Sequence, residues 1–100
     1  MNELIEQVEQ WSIDKELDKG NSFTQYTKSV EEMGEVAGAL CRNRRHDLKD
    51  GIGDVLVTLI ILAQQNNMTI QECLEQAYGE IKDRTGEMSE DGSFIKSDDL

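Results

Sequence analysis

Apolar positions fall at helical spacing along most of this chain. Leu4, Ile5, Val8 and Trp11 form one stripe, which predicts a helix over about residues 2–18 that stops at Gly20. A second helix is expected from "SFTQ", with Ser22 as N-cap and Gln25 three residues on as a capping box. It runs to about Arg42 and carries Tyr26, Val30, Met33, Ala37, Leu40 and Cys41 on one side. A third begins near Asp47 and stops at Asn66-Asn67, and a fourth opens with "TIQE" (Thr69 and Glu72) and runs to about Arg84. Beyond Gly86 the period decays, and Asp91-Gly92 between Met88 and Phe94-Ile95 signals a small hairpin followed by a loose end.

The third segment departs from amphipathic order. From Val55 to Ala63 only Thr58 is polar, so apolar side chains point in every direction around the axis. A helix of that kind belongs at the centre of something, and three other short helices can barely surround it. The reading is an all-α bundle of about four helices, completed by a second copy of the chain in a homodimer or homotetramer. One helical domain is expected over residues 1–86, with residues 87–100 as a C-terminal extension.

Composition narrows the function. There is no proline among the 100 residues, and 21 acidic residues against 10 basic ones give a net charge of −11. Nucleic-acid and anionic-membrane binders need basic surfaces, so neither partner is expected. A metal–phosphate complex, which brings its own cations, is compatible with this charge. Cys41 and Cys73 have no metal-ligand spacing, the first ten residues lack the pattern of a secretory signal, and the apolar run is well short of the ~20 residues of a membrane span. A cytoplasmic protein is the expectation.

The chemistry lies in paired carboxylates. Residues three or four apart share a helical face, as Glu32 and Glu35 do on the second helix and Asp50 and Asp54 do on the third. An ExxE pair alone means little, because it occurs five times here, mostly on faces suited to solvent. Asp50 has the alternative of serving the helix start near Asp47. Asp54 is different: it lies too deep to cap and stands in line with Val57 and Ile61. If the second and third helices pack antiparallel, the two pairs converge as a hard-oxygen cage for Mg²⁺ or Mn²⁺.

"KSVEEMGEVAGAL" followed by "DGIGDVLVTLIILA" resembles the MazG-like nucleoside triphosphate pyrophosphohydrolases, all-α proteins with EExxE on one helix and ExxD on the next. The likeness runs from about Trp11 to Met88. It implies Mg²⁺-dependent hydrolysis of an NTP or dNTP to the monophosphate and pyrophosphate, with Glu32, Glu35, Asp50 and Asp54 as metal ligands. Glu31 or Glu32 would orient or deprotonate the attacking water. The departure is at residue 51, where the family's usual Glu is Gly; Asp50 is the nearest substitute.

Lys28, four residues before Glu32, is a candidate for phosphate binding, or else for a surface ion pair. "IKDRTGEM" resembles a basic segment of the family and makes Lys82 and Arg84 candidates for the terminal phosphates. Among Arg42, Arg44, Arg45, His46 and Lys49, helix-dipole complementation is the simpler reading, and a phosphate-facing arginine stays open. Trp11, Phe23 and Tyr26 are candidates for stacking on a base, although Trp11 continues an apolar stripe and is expected in the core. Both cysteines are expected to be buried. Two rivals stand beside this reading: the same cage acting on another nucleotide such as phosphoribosyl-ATP, and a non-catalytic acidic helical interaction module.

Overall fold

The computed structural model describes residues 2–99. Four helices carry the chain: α1 (Asn2–Asp14), α2 (Ser22–Cys41), α3 (Arg45–Gln65) and α4 (Ile70–Ile81). A short hairpin follows, β1 (Gly86–Met88) antiparallel to β2 (Phe94–Lys96) with Glu87 opposite Ile95. The all-α class and the hairpin are as the sequence predicts. The last few residues, expected as a loose end, form a 3₁₀ turn over Ser97–Asp99, and Leu100 lies outside the described residues. Among the described residues no helix is long and apolar enough to cross a membrane.

Internal contacts divide the chain into two units, residues 1–70 and 71–100. In the first, α2 and α3 form the main packed pair and α1 lies along the C-terminal part of α3. Three side-chain amides fix that end of α3. Gln64 Nε2 donates to the Glu9 carbonyl at 3.2 Å, Gln65 Nε2 to the Leu17 carbonyl at 3.0 Å, and Asn66 Nδ2 to Ser22 Oγ at 3.0 Å. The core is small: Ile60, Ile61, Ala63 and Ala39, with Ile60 only 2% exposed. The second unit holds most of α4 and the hairpin, whose turn is closed by Gly92 at a φ of 86°.

Several boundaries differ from the expected ones. The N-cap of α2 is Asn21, not Ser22, because the Asn21 side chain accepts from the Phe23 and Thr24 amides at 2.9 and 3.0 Å. Gln25 is thereby free of a capping box; it is buried and donates from Nε2 to the Thr58 carbonyl at 3.1 Å. The first helix ends at Asp14, where Glu16 turns left-handed and a 3₁₀ turn (Leu17–Lys19) follows. α3 starts at Arg45, two residues early, and α4 stops at Ile81 rather than Arg84. The asparagine stop after α3 is present, with Asn66 as C-cap and Asn67 at a φ of 59°.

The larger correction concerns which face is inside. The α2 face against α3 is Gln25, Ser29, Val36 and Ala39, of which Gln25 and Ser29 are joined to Thr58 by hydrogen bonds. The apolar stripe Tyr26, Val30, Met33 and Leu40 is exposed, as are Ile52, Leu56 and Leu59 of α3. At about 100° per residue these positions lie roughly 140–180° around each helix from Glu35 and Asp54. Trp11, expected in the core, is 47% exposed, because α1 reaches only the far end of α3. Cys41 and Cys73, expected to be buried, are both exposed free thiols.

Candidate functional site

α2 and α3 run antiparallel through a three-residue turn, Arg42, Asn43 and Arg44, and approach closely where Gly51 meets Val36. A Cβ built on Gly51 would stand 3.1 Å from Val36 Cγ2. Beside this contact opens a cleft of about 510 Å³. α2 lines it with Glu31, Gly34, Glu35, Gly38 and Ala39, and the turn and α3 with Arg42, Arg44, Asp47, Asp50, Gly51 and Asp54. Five of these eleven residues carry carboxylates and two carry guanidinium groups. The register follows from helix geometry: 31, 35, 38 and 42 on one helix and 47, 50, 51 and 54 on the other each share one face.

Three of the four residues expected to hold a metal, Glu35, Asp50 and Asp54, line this cleft together, and so does Glu31. Glu32 stands at its margin and is not a lining residue. Its side chain is half-buried, and its Oε2 is sealed from solvent without a hydrogen-bond partner. Desolvation pushes the Glu32 carboxyl above the usual carboxylate range, helped by the charge of Glu35, a hydrogen bond to Glu35 and the charges of Asp54 and Glu31. Asp54 is half-buried despite its charge, while Asp50 is exposed.

The remaining sequence candidates separate. Lys28 is exposed on α2, outside the cleft lining and with no salt bridge among the described residues. Lys82 and Arg84 are exposed in the turn after α4, in the second unit, where the Lys82 amide bonds the Tyr78 carbonyl and the Arg84 amide the Ile81 carbonyl. Trp11 does not line the cleft. Of the basic cluster over residues 42–49, Arg42 and Arg44 line the cleft, and so does Asp47, expected only as a helix start; Arg42 lies seven residues from Glu35, and Asp47 seven from Asp54.

The MazG nucleotide pyrophosphohydrolase domain model matches residues 20–88. The chain belongs to this family. The MazG match spans α2, α3 and α4 and so includes every cleft residue. A relative of the MazG chain is an uncharacterized 18.2 kDa protein from the rep-hol intergenic region of Haemophilus phage HP1, 36% identical over 69 residues. The aligned part is 68% of this chain and 42% of the phage protein, so the chain spans less than half of that relative. No solved structure matches.

Among the described residues, no three carboxylate, imidazole or thiol groups stand close enough to grip an ion as they lie. The donors are nevertheless all hard oxygens, the kind Mg²⁺ and Mn²⁺ take. A cation would give the unpartnered Oε2 of Glu32 a partner and relieve the mutual repulsion of Glu32, Glu35 and Asp54. The donor set fits.

Proposed function

We propose that the chain is a Mg²⁺-dependent pyrophosphohydrolase that converts a nucleoside or deoxynucleoside triphosphate to the monophosphate and pyrophosphate. The observation that carries the reading is the meeting of carboxylates from two helices, Glu31 and Glu35 with Asp50 and Asp54, in one cleft beside the Gly51–Val36 contact. Glu32, Glu35, Asp50 and Asp54 would hold the ion, with Mn²⁺ as a substitute. Bound there, the ion supplies neutralising charge for the phosphates and lowers the pKa of water. Glu31 orients the attacking water and accepts its proton as the bond between the α-phosphorus and the bridging oxygen breaks. Glu32, beside it, is the alternative proton acceptor.

Lys28, seven residues before Glu35 on the same side of α2, contacts phosphate, and Lys82 and Arg84 are assigned to phosphate on the family resemblance. Trp11 is the weakest assignment, to the base. The exposed apolar face of α2 and α3 supports a homodimer or homotetramer, and the nucleotide substrate supports a cytoplasmic location.

The test is pyrophosphate release from a panel of NTPs and dNTPs with Mg²⁺, for the native chain, Asp54→Asn and Glu31→Gln. Pyrophosphate and monophosphate as products, lost in both variants while only Asp54→Asn loses Mg²⁺ binding, is the expected result. Release of single phosphates would move the cleavage site. No turnover on any triphosphate, nor on phosphoribosyl-ATP, would overturn the reading in favour of a non-catalytic helical module.

A further inference from the structure

The cleft is polarised along its length. Glu31, Glu35, Asp50 and Asp54 occupy one end, and the other closes at the turn between α2 and α3, with Arg42 and Arg44. Arg42 is the C-cap of α2, where a basic side chain has an ordinary dipole role. Its guanidinium does something else. It folds back over the preceding turn, so that a Cβ added at Gly38 would stand 2.9 Å from its Nη1. Gly38 lies three residues beyond Glu35, roughly 4.5 Å along the helix axis.

Although acidic residues line the same cleft, the Arg42 guanidinium makes no salt bridge or hydrogen bond among the described residues. Arg44, by contrast, already faces Asp47, at 3.9 Å. The N-terminus of α3, which no side chain caps, begins at this same end and adds the positive end of a 21-residue helix. An uncommitted guanidinium, seated on a glycine one turn from the carboxylates, has the donor fork that matches phosphate oxygens.

We infer that Arg42, seated on Gly38, is the subsite for the terminal phosphates, so that the triphosphate lies along the cleft with its leaving pyrophosphate toward the α2–α3 turn. The inference rests on the reaction proposed above and gives its substrate a direction. Gly38 is the positioning residue: it leaves the room in which the guanidinium lies.

The experiment is calorimetric titration of the full chain with inorganic pyrophosphate in Mg²⁺, for the native protein, Arg42→Ala, Arg42→Lys and Gly38→Ala. Arg42 is exposed, and the clash at Gly38 is with the far end of a flexible side chain, so all four fold alike, as circular dichroism will verify. Arg42→Ala is expected to weaken pyrophosphate binding tenfold or more, with nucleoside monophosphate and Mg²⁺ binding unchanged. Gly38→Ala, which keeps the charge and moves it, is expected to lose several-fold, and Arg42→Lys to recover part of the loss. The KM for a hydrolysed triphosphate should rise in the same order. Equal pyrophosphate affinity in the native chain and Arg42→Ala would overturn the subsite and leave the reaction standing. Pyrophosphate binding that depends on Arg42, in a chain that hydrolyses no triphosphate, would keep the subsite and overturn the reaction. A native chain that binds no pyrophosphate would overturn the subsite outright.

Discussion

Gly51 of α3 faces Val36 of α2 so closely that an added Cβ would come within 3.1 Å of Val36 Cγ2. This contact explains the residue that stands where the family's usual glutamate would be. A glutamate at 51 must push the helices apart, and overpacking of that kind costs about 1–3 kcal/mol. Gly51→Glu is therefore expected to lower stability by about that much without raising turnover. Gly51→Ala gains about 1 kcal/mol of helix propensity and strains Val36 slightly, so it should be near neutral. Urea unfolding of the two variants checks both statements.

Charge crowding at Glu32 predicts opposite effects with and without divalent ions. Glu35 is the largest single charge acting on Glu32. Glu35→Gln is expected to melt above the native chain in chelator, because like charges no longer face each other. In Mg²⁺ the order should reverse: the native chain gains about 2.7 kcal/mol at a hundredfold excess over Kd, and the variant gains little. Thermal melts in the two buffers decide it, and an unchanged order would remove the ion from the site.

The outer face yields a prediction about assembly. Leu56 is 45% exposed between Ile52 and Leu59, which are also exposed. If this face is covered by a second copy of the chain, Leu56→Glu buries an unpaired charge at the contact and should raise the dissociation constant more than tenfold. Light scattering behind size exclusion at micromolar concentration is expected to give an oligomer for the native chain and a monomer for the variant. A native monomer would remove the partner.

The hairpin turn carries a pH signature. The Asp91 carboxylate accepts from Ser89 Oγ and from the Ser93 amide, at 3.0 Å for the amide, and these bonds hold its pKa below the usual Asp value. A lowered folded pKa means stability that is present above the unfolded value, about 3.9, and lost as pH falls through the folded one. The Ser93 amide resonance should therefore hold steady down to about pH 4 and shift below it. Asp91→Asn should abolish that acid transition.

Much of this architecture was legible because helices advertise themselves by period and cap. Asn66-Asn67 marked the end of α3, and Asp91-Gly92 marked the hairpin. The carboxylate pairs were legible for the same reason, since i, i+3 and i, i+4 spacing fixes a shared face. The period of an apolar stripe does not say whether it faces the core of its own chain. Tyr26, Val30, Met33 and Leu40 look outward, and the seam with α3 is built from Gln25, Ser29 and Thr58, which no hydrophobic period announces. Asn21 and Ser22 are comparable caps, and only the two amide bonds to Asn21 choose between them. Arg42 was legible as a cation but not as one folded over Gly38, because side-chain direction at a helix end has no sequence code.

The polar seam has a consequence for how such a chain can change. Ser29 Oγ lies 2.9 Å from Thr58 Oγ1, and Gln25 binds the Thr58 carbonyl, so the two helices are pegged to each other at fixed heights. Greasy seams tolerate slippage by a turn; pegged ones do not, because every peg would lose its hole at once. The outward stripe is then free to drift in sequence and take new neighbours while the acidic cleft keeps its alignment.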